Sequence, residues 1–379
     1  MNFKQRPVDW RNCYVHIPYC AGKCGYCAFY SQSSSTPVER DSYLSALDRF
    51  LSSVEFSGQL QTLYVGGGTP DLLSIGELER LFRILRRRLP LAADCEISCE
   101  LNPEFLTTDK AVLLKEQVTR LSLGVQSFDA GVRQKLMRRC SEEHLQNALA
   151  LLAKYPPEHF NIDLIYGIEG VPWQIFEHDM HCALEEGVDH LSCYALTPEE
   201  NSRLGLRSPV ADDEISARWW LDIGEYLSKH GMRRYEISNY AVPGGECCHN
   251  MRVWAGETLL GAGPSAAGFD GCDRYTFPAN TDAFIQGTEP IVDRVDPVIR
   301  MLEIWAVNLR TVSGWLQSQW DKLFPGSWAV MHRLASQEAL NNPHWWNIKD
   351  EQISLSDNGL LFWDEAAMQI LDWTDKVEK

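Results

Sequence analysis

Cys20, Cys24 and Cys27 stand in the run YVHIPYCAGKCGYCAFYS with C-x3-C-x2-C spacing. Thiolates are the ligands of iron–sulfur clusters, and a four-iron cubane takes one thiolate per iron. Three close cysteines hold three irons and leave the fourth open. A small chelating molecule can bind there and receive one electron from a low-potential cluster. Zinc is the competing reading. Structural zinc usually takes four protein ligands, often as two C-x2-C pairs, and only one such pair is present. His16 is close in sequence, but its neighbours Tyr14, Val15 and Ile17 read as a strand.

Further along, Gly66-Gly67-Gly68-Thr69-Pro70 strips side chains from a stretch of backbone, as close approach to a ligand requires. No Gly-Lys-Ser/Thr follows, so it is not a phosphate-binding P-loop. A plain glycine turn remains the alternative. Glu100 and Asp163 are acids in otherwise apolar runs, where an acid must be paired, hydrogen-bonded or used. Carboxylates bind ribose hydroxyls in nucleoside sites; a salt bridge across a barrel mouth is the other reading. Gln126 is a neutral donor and acceptor, and Arg138 or its neighbour Arg139 can meet a carboxylate as a fork.

These residues need elements to position them. Strand-like runs occur at Cys13–Pro18, Thr62–Val65, Glu96–Leu101, Arg120–Val125, Asn161–Tyr166 and His190–Leu196. Helical patterns lie between them at Val38–Val54, Ile75–Leu89, Asp109–Glu116, Glu142–Lys154 and Trp173–Glu186. Strands separated by crossover helices imply a parallel α/β sheet, and a partial (β/α)6 TIM-type barrel fits best. Function then gathers at the carboxyl ends of the strands, where the cysteines, the glycine loop, Glu100 and Gln126 fall, with Asp163 within the fifth strand. A helix at Ala211–His230, a strand at Arg234–Ala241 and a Gly-, Cys- and aromatic-rich stretch follow. Helices with a small β-ribbon before a last helix suggest a winged-helix-like C-terminal module. The expected divisions are 1–240 for the barrel, 241–295 for a connecting segment and 296–379 for the C-terminal module.

The chain has 379 residues, a net charge of −17 and 45% hydrophobic residues. That length supports a large core. The acidic balance disfavours nucleic acid as a partner, and Arg86-Arg87-Arg88 reads as a solvated helix end. No secretory signal opens the chain and no apolar run is long enough to span a membrane, so a cytoplasmic setting is expected. In that setting disulfides are not expected among the twelve cysteines: some suit metal or redox work, and most of the nine outside the trio read as small buried hydrophobes. No basic amphipathic helix argues for peripheral contact with the inner membrane, which stays open.

Taken together, the motifs resemble the radical S-adenosylmethionine (SAM) superfamily, and the longer pattern is similar to its HemN/HemW branch. YVHIPYCAGKCGYC, YVGGGTPDLL, ELNPE, RLSLGVQSFD, NIDLIYGI, YEISNYA, CCHNMRVW and LGAGPSA carry the resemblance, which covers nearly the whole chain. It implies a [4Fe-4S] cluster on Cys20, Cys24 and Cys27. Its open iron chelates SAM, which one electron cleaves to methionine and a 5′-deoxyadenosyl radical. It also implies SAM contacts from Tyr14, Gly67, Gly68, Thr69, Glu100, Gln126, Arg138 and Asp163, with Arg138 preferred to Arg139 by its distance from Gln126. An electron donor such as flavodoxin or ferredoxin would reduce the cluster. The branch holds oxygen-independent coproporphyrinogen III oxidases and haem chaperones. The oxidases resemble C-x3-C-x2-C-x-C with a longer N-terminus; here Phe29 stands at the fourth position and 19 residues precede Cys20, which favours the chaperones. The chaperones' HNxxYW sequence reads His249-Asn250-Met251-Arg252-Val253-Trp254, with Val253 for the tyrosine. His249, or Cys247 or Cys248, is a candidate axial ligand for haem iron, with Trp254 packing on the macrocycle. The expected role is to bind haem and deliver it to acceptor proteins. The alternatives are oxidation of coproporphyrinogen III and another tetrapyrrole-directed radical reaction such as methylation.

Overall fold

The computed structural model of the chain describes residues 7–197, 202–204 and 213–377. Six parallel strands follow one another in chain order: β1 Asn12–Ile17, β2 Leu60–Gly67, β3 Leu91–Leu101, β4 Arg120–Gln126, β5 His159–Tyr166 and β6 His190–Ala195. Between them run α1 Pro37–Leu51, α2 Ile75–Arg88, α3 Thr108–Gln117, α4 Ala130–Lys135, α5 Glu142–Lys154 and α6 Trp173–Glu185. This is the expected partial (β/α)6 barrel. Local signals start the helices where they stand. Thr36 with Glu39, and Ser74 with Glu77, form reciprocal capping boxes at α1 and α2. The basic run at the end of α2 is partnered: Arg87 and Arg88 share Asp48, and Arg86 holds Gln117.

The sheet extends at both edges. Past β6 lie the antiparallel strands β8 Asn239–Ala241 and β7 Arg233–Arg234, reached through α7 Asp213–Lys229. Of the helix expected from Ala211, the first two residues fall outside the described ones. Past β1, residues 241–295 supply α8 Cys248–Trp254, then β9 Leu259–Ala262 parallel to β1, and the antiparallel β10 Ala267–Phe269, β11 Asp273–Thr276 and β12 Ile291–Arg294, with α9 Thr281–Ile285 before the last. The segment read as a connector is therefore half wall and half floor of the barrel. Its strands have three or four residues each, too short to show a period. Among the described residues no ladder joins β7 to β12, so the barrel is open.

The C-terminal module runs α10 Pro297–Asn308, β13 Trp315–Leu316, α11 Gln317–Leu323, α12 Trp328–Asn341 and the hairpin β14 Trp346–Lys349 with β15 Gln352–Leu355, then α13 Asp357–Leu361 and α14 Trp363–Leu371. Helix, strand, two helices and a hairpin is the winged-helix order. Its core is a cluster of Trp305, Trp315, Trp320 and Trp328, all buried.

Candidate functional site

Strand side chains alternate between two faces. In β1 to β6 the outward set is apolar and packs under the helices: Val15, Leu63, Ile97, Leu121, Ile162 and Leu191 are buried. The inward set is polar at nearly every position: Asn12, Tyr14 and His16; Thr62 and Tyr64; Glu96, Ser98 and Glu100; Arg120 and Ser122; Asn161 and Asp163; His190, Ser192 and Tyr194. Branched apolar side chains normally fill such a barrel. Here a cavity of about 410 Å³ runs through it, from the cysteine loop to Cys247 and Asn250.

At the carboxyl ends of the strands, the loop after β1 carries the three cysteines, and all three line the cavity. The loop is pinned on two sides. Tyr19 bridges Gln32, and the Gly25 amide donates to the Leu136 carbonyl at 3.0 Å. A side chain at Gly25 would lie 2.9 Å from Leu204. Cys20 Sγ lies 3.3 Å from Thr69 Oγ1, and burial raises the pKa of Cys20 and Cys27. Ligation to iron would supply the positive charge that favours thiolate. Among the described residues no three Cys, His, Asp or Glu side chains converge to hold a single metal ion. A cubane does not need that convergence, since each thiolate meets its own corner iron. Three cysteines on one loop, all lining one cavity, suit such corner-by-corner ligation. Bound there, a cluster would supply one low-potential electron to a molecule chelated at its open iron.

The glycine loop follows β2, and its neighbours in the fold already demand glycine. A Cβ at Gly66 would lie 2.7 Å from the Glu100 carboxyl carbon, at Gly67 2.6 Å from the His16 ring, and at Gly68 2.5 Å from the Tyr19 carbonyl. Gly67 also has φ +107°. Its amide donates to Glu100 Oε2 at 3.0 Å. Burial, then the charge of Asp163, pushes the Glu100 carboxyl up to about 7. Asp163 accepts from Ser122 and Asn161 at 3.0 and 2.8 Å, and its pKa is raised by burial.

Gln126 ends β4 at a register shift with φ +72°, a conformation costly for any residue with a side chain. It is buried against the cavity. Arg138 follows Met137, another left-handed residue, in the turn after α4. Its Nη1 donates toward Cys24 Sγ at 3.6 Å, its Nη2 donates to the Gly124 carbonyl, and its buried Nε has no partner among the described residues. Arg139 instead lies at the exposed rim beside Glu104 and the Ala21 carbonyl.

The barrel therefore brings together Cys20, Cys24, Cys27, Gly67, Gly68, Thr69, Glu100, Gln126, Arg138 and Asp163 on one cavity. Three expected residues stand elsewhere. Tyr14 sits one layer down, its hydroxyl 3.1 Å from His16 Nδ1, and is not part of the cavity wall. His249 is buried at the floor: Nδ1 is 2.8 Å from Thr62 Oγ1, the ring packs on Tyr64, and burial lowers its pKa to about 4. No face is open to a macrocycle in this conformation. Trp254, on a different side of α8, lies under the Arg310 guanidinium at 4.6 Å. Cys248 is the exposed thiol of the stretch, while Cys247 is buried. Tyr64, Arg120, His190 and Asn250 also line the cavity and are not among the residues singled out from the sequence, although Tyr64, Arg120 and Asn250 lie within the quoted motifs; the polar alternation within each strand is the signal that marks the first three.

The pattern of the Radical SAM superfamily matches residues 14–183. A protein of Escherichia coli K12 named "Heme chaperone HemW" is 36% identical over 274 residues, 70% of each chain. The chain belongs to the radical SAM superfamily, in its HemN/HemW branch. Another protein of the same name, from Lactococcus lactis, is 30% identical across 91% of this chain and 93% of its own; one from Mycobacterium tuberculosis is 35% identical across 73% and 76%. Among solved structures, the radical SAM coproporphyrinogen III oxidase HemN of Escherichia coli has a TM-score of 0.82 over 97% of this chain and 92% of its own, at 20% identity, which is a likeness of fold. Membership in the radical SAM superfamily implies an iron–sulfur cluster and SAM as cofactors. Among the described residues no helix is long and apolar enough to cross a membrane.

Proposed function

We propose that this chain is a haem chaperone of the radical SAM kind, which binds a [4Fe-4S] cluster, SAM and haem and hands haem to acceptor proteins in the cytoplasm. The observation that carries the reading is the similarity to proteins named heme chaperone at 30 to 36% identity over 70 to 91% of the chain. Phe29, where the oxidases carry a fourth cysteine, supports it.

In this reading Cys20, Cys24 and Cys27 hold the cluster. Glu100 and Asp163 accept from hydroxyls or an amine of SAM, Arg138 meets a carboxylate, and the backbone of Gly67, Gly68 and Thr69 lines the cavity along its chain. Haem has no room among the charged groups of the lumen, so it binds outside. Ligation by His249 then needs α8 to leave the floor, whereas Cys248 is exposed already. Reduced flavodoxin or ferredoxin is the electron donor of choice on chemical grounds.

Anaerobic reconstitution tests this. Haem titration is expected to saturate at a fixed stoichiometry, and coproporphyrinogen III supplied with SAM and reductant is expected to stay unchanged. Turnover to protoporphyrinogen IX would make the chain an oxidase instead. Cys20→Ala is expected to abolish the visible iron–sulfide absorption without altering the far-ultraviolet circular dichroism. Cys248→Ala is expected to shift the haem Soret band, and His249→Ala to leave it in place.

A further inference from the structure

The lumen has a second end. Cys20 to Cys27 close the cavity at the carboxyl ends of the strands, while Arg120, His190, Cys247 and Asn250 line it at the amino ends. Along β4, Arg120 and Gln126 both line the cavity and stand six residue steps apart, about 20 Å at the usual rise of a strand. A ligand anchored at the cysteines therefore leaves the floor to something else.

The floor is built around one buried cation. Arg120 is 2% exposed. Its Nε donates to Glu96 Oε2 at 3.0 Å and its Nη2 to the Glu246 carbonyl at 2.9 Å. Its Nη1 is buried, with no acceptor among the described residues. A guanidinium can only donate, so this N–H calls for an oxygen. The neighbouring groups do not compete for the occupant. His190 spends Nδ1 on Asn161 Oδ1 at 2.5 Å and Nε2 on the Tyr235 hydroxyl at 2.7 Å. Glu96 is taken by Arg120 and by the Cys248 and His249 amides.

We propose that the floor of the lumen is a separate subsite for a small carboxylate, which accepts from Arg120 Nη1 with the Asn250 side chain beside it. A guanidinium edge and an amide suit a planar anion. Glu100 and Asp163 face the same lumen, so a singly charged occupant is favoured over a doubly charged phosphate. The subsite rests on the barrel alone and not on the haem reading, so either can fail without the other.

The test uses the full chain, reconstituted anaerobically in carboxylate-free buffer, with acetate as probe in saturation-transfer NMR. Acetate is expected to give a saturable signal that persists at saturating SAM. Methylammonium and inorganic phosphate are expected to give none. Arg120→Met is expected to weaken acetate at least tenfold. Should that variant misfold by circular dichroism, Asn250→Leu, which fills the floor from the other side, is expected to lose acetate as well. The subsite is overturned if acetate never saturates, if SAM displaces it, if methylammonium binds equally, or if a folded Arg120→Met or Asn250→Leu protein binds acetate as the parent does.

Discussion

Gly67 shows how little freedom single positions at this site have. Its φ of +107° acts together with the 2.6 Å that would separate an added Cβ from the His16 ring. Gly67→Ala is expected to cost about 1–3 kcal/mol, read as a lower urea midpoint, and to weaken SAM binding by displacing the amide that Glu100 accepts from. Asp71 makes a pH-dependent contribution. It is fully buried, its Oδ1 accepts from the Asn102 amide at 3.0 Å, and burial raises its pKa to about 7. Below about pH 4 the carboxyl is protonated whether the chain is folded or not. Between about 4 and 7 the folded chain keeps a proton that the unfolded chain releases, so stability falls as pH rises through that window and is level above it. Asp71→Asn is expected to remove part of this fall, with Glu100, Asp163 and Asp179, raised by burial in the same direction, contributing to the rest; urea midpoints at pH 4.5 and 8 check it, and an unchanged difference between them refutes it. At this scale the motifs are legible in the sequence because loops at strand ends concentrate cysteine, glycine and acid. Arg120 and His190 are not, because each opens its strand behind a polar residue (Thr119, Asp189) and looks like the end of a solvated loop until the strand's two faces are separated.

Among the elements, α8 depends on a carboxylate from another strand. Glu96 of β3 holds Arg120, accepts from the Cys248 and His249 amides at 3.2 and 3.0 Å, and receives the Cys247 thiol. Both charges of the Glu96–Arg120 pair are nearly buried. Removing one partner of a buried pair costs about 3–5 kcal/mol. Glu96→Gln keeps the shape and one acceptor, so about 3 kcal/mol is expected. The local consequence is sharper: with α8 released, Cys247 becomes reactive. Thiol labelling under native conditions is expected to gain that site, and a labelling pattern identical to the parent's would show that α8 is held by packing instead. The same element marks the limit of sequence reading. The six long strands are legible because crossover helices space them, and α1, α2 and α5 because their caps are local. That α8 reaches under the barrel depends on Glu96, roughly 150 positions earlier, and no local pattern carries such a pairing.

Across the whole molecule, the barrel and the winged-helix module meet at another buried carboxylate. Glu236 is 0% exposed and accepts from Arg310 Nε and Nη2 at 2.9 and 2.8 Å, from the Ser238 amide and from Asn239. Around it Glu236 bridges Thr311, and the Val312 amide donates to the Tyr235 carbonyl. The Arg310 guanidinium also lies over Trp254 of α8 and Trp363 of α14, so one side chain touches floor, wall and module. Arg310→Met leaves the Glu236 charge buried with only neutral donors, at a cost of about 3 kcal/mol. The loss falls on the junction and not on either core, so cooperativity should change along with stability. Eight of the thirteen tryptophans lie after residue 296, which makes fluorescence a reporter of the module, while iron–sulfide absorption reports the barrel. In the parent the two signals are expected to be lost together in urea, as for one cooperative unit. In Arg310→Met the fluorescence transition is expected to move to lower urea and separate from the absorption. Two coincident, unshifted transitions in the variant would mean that packing of α10 against α8 joins the halves and that Glu236 and Arg310 merely lie at the seam.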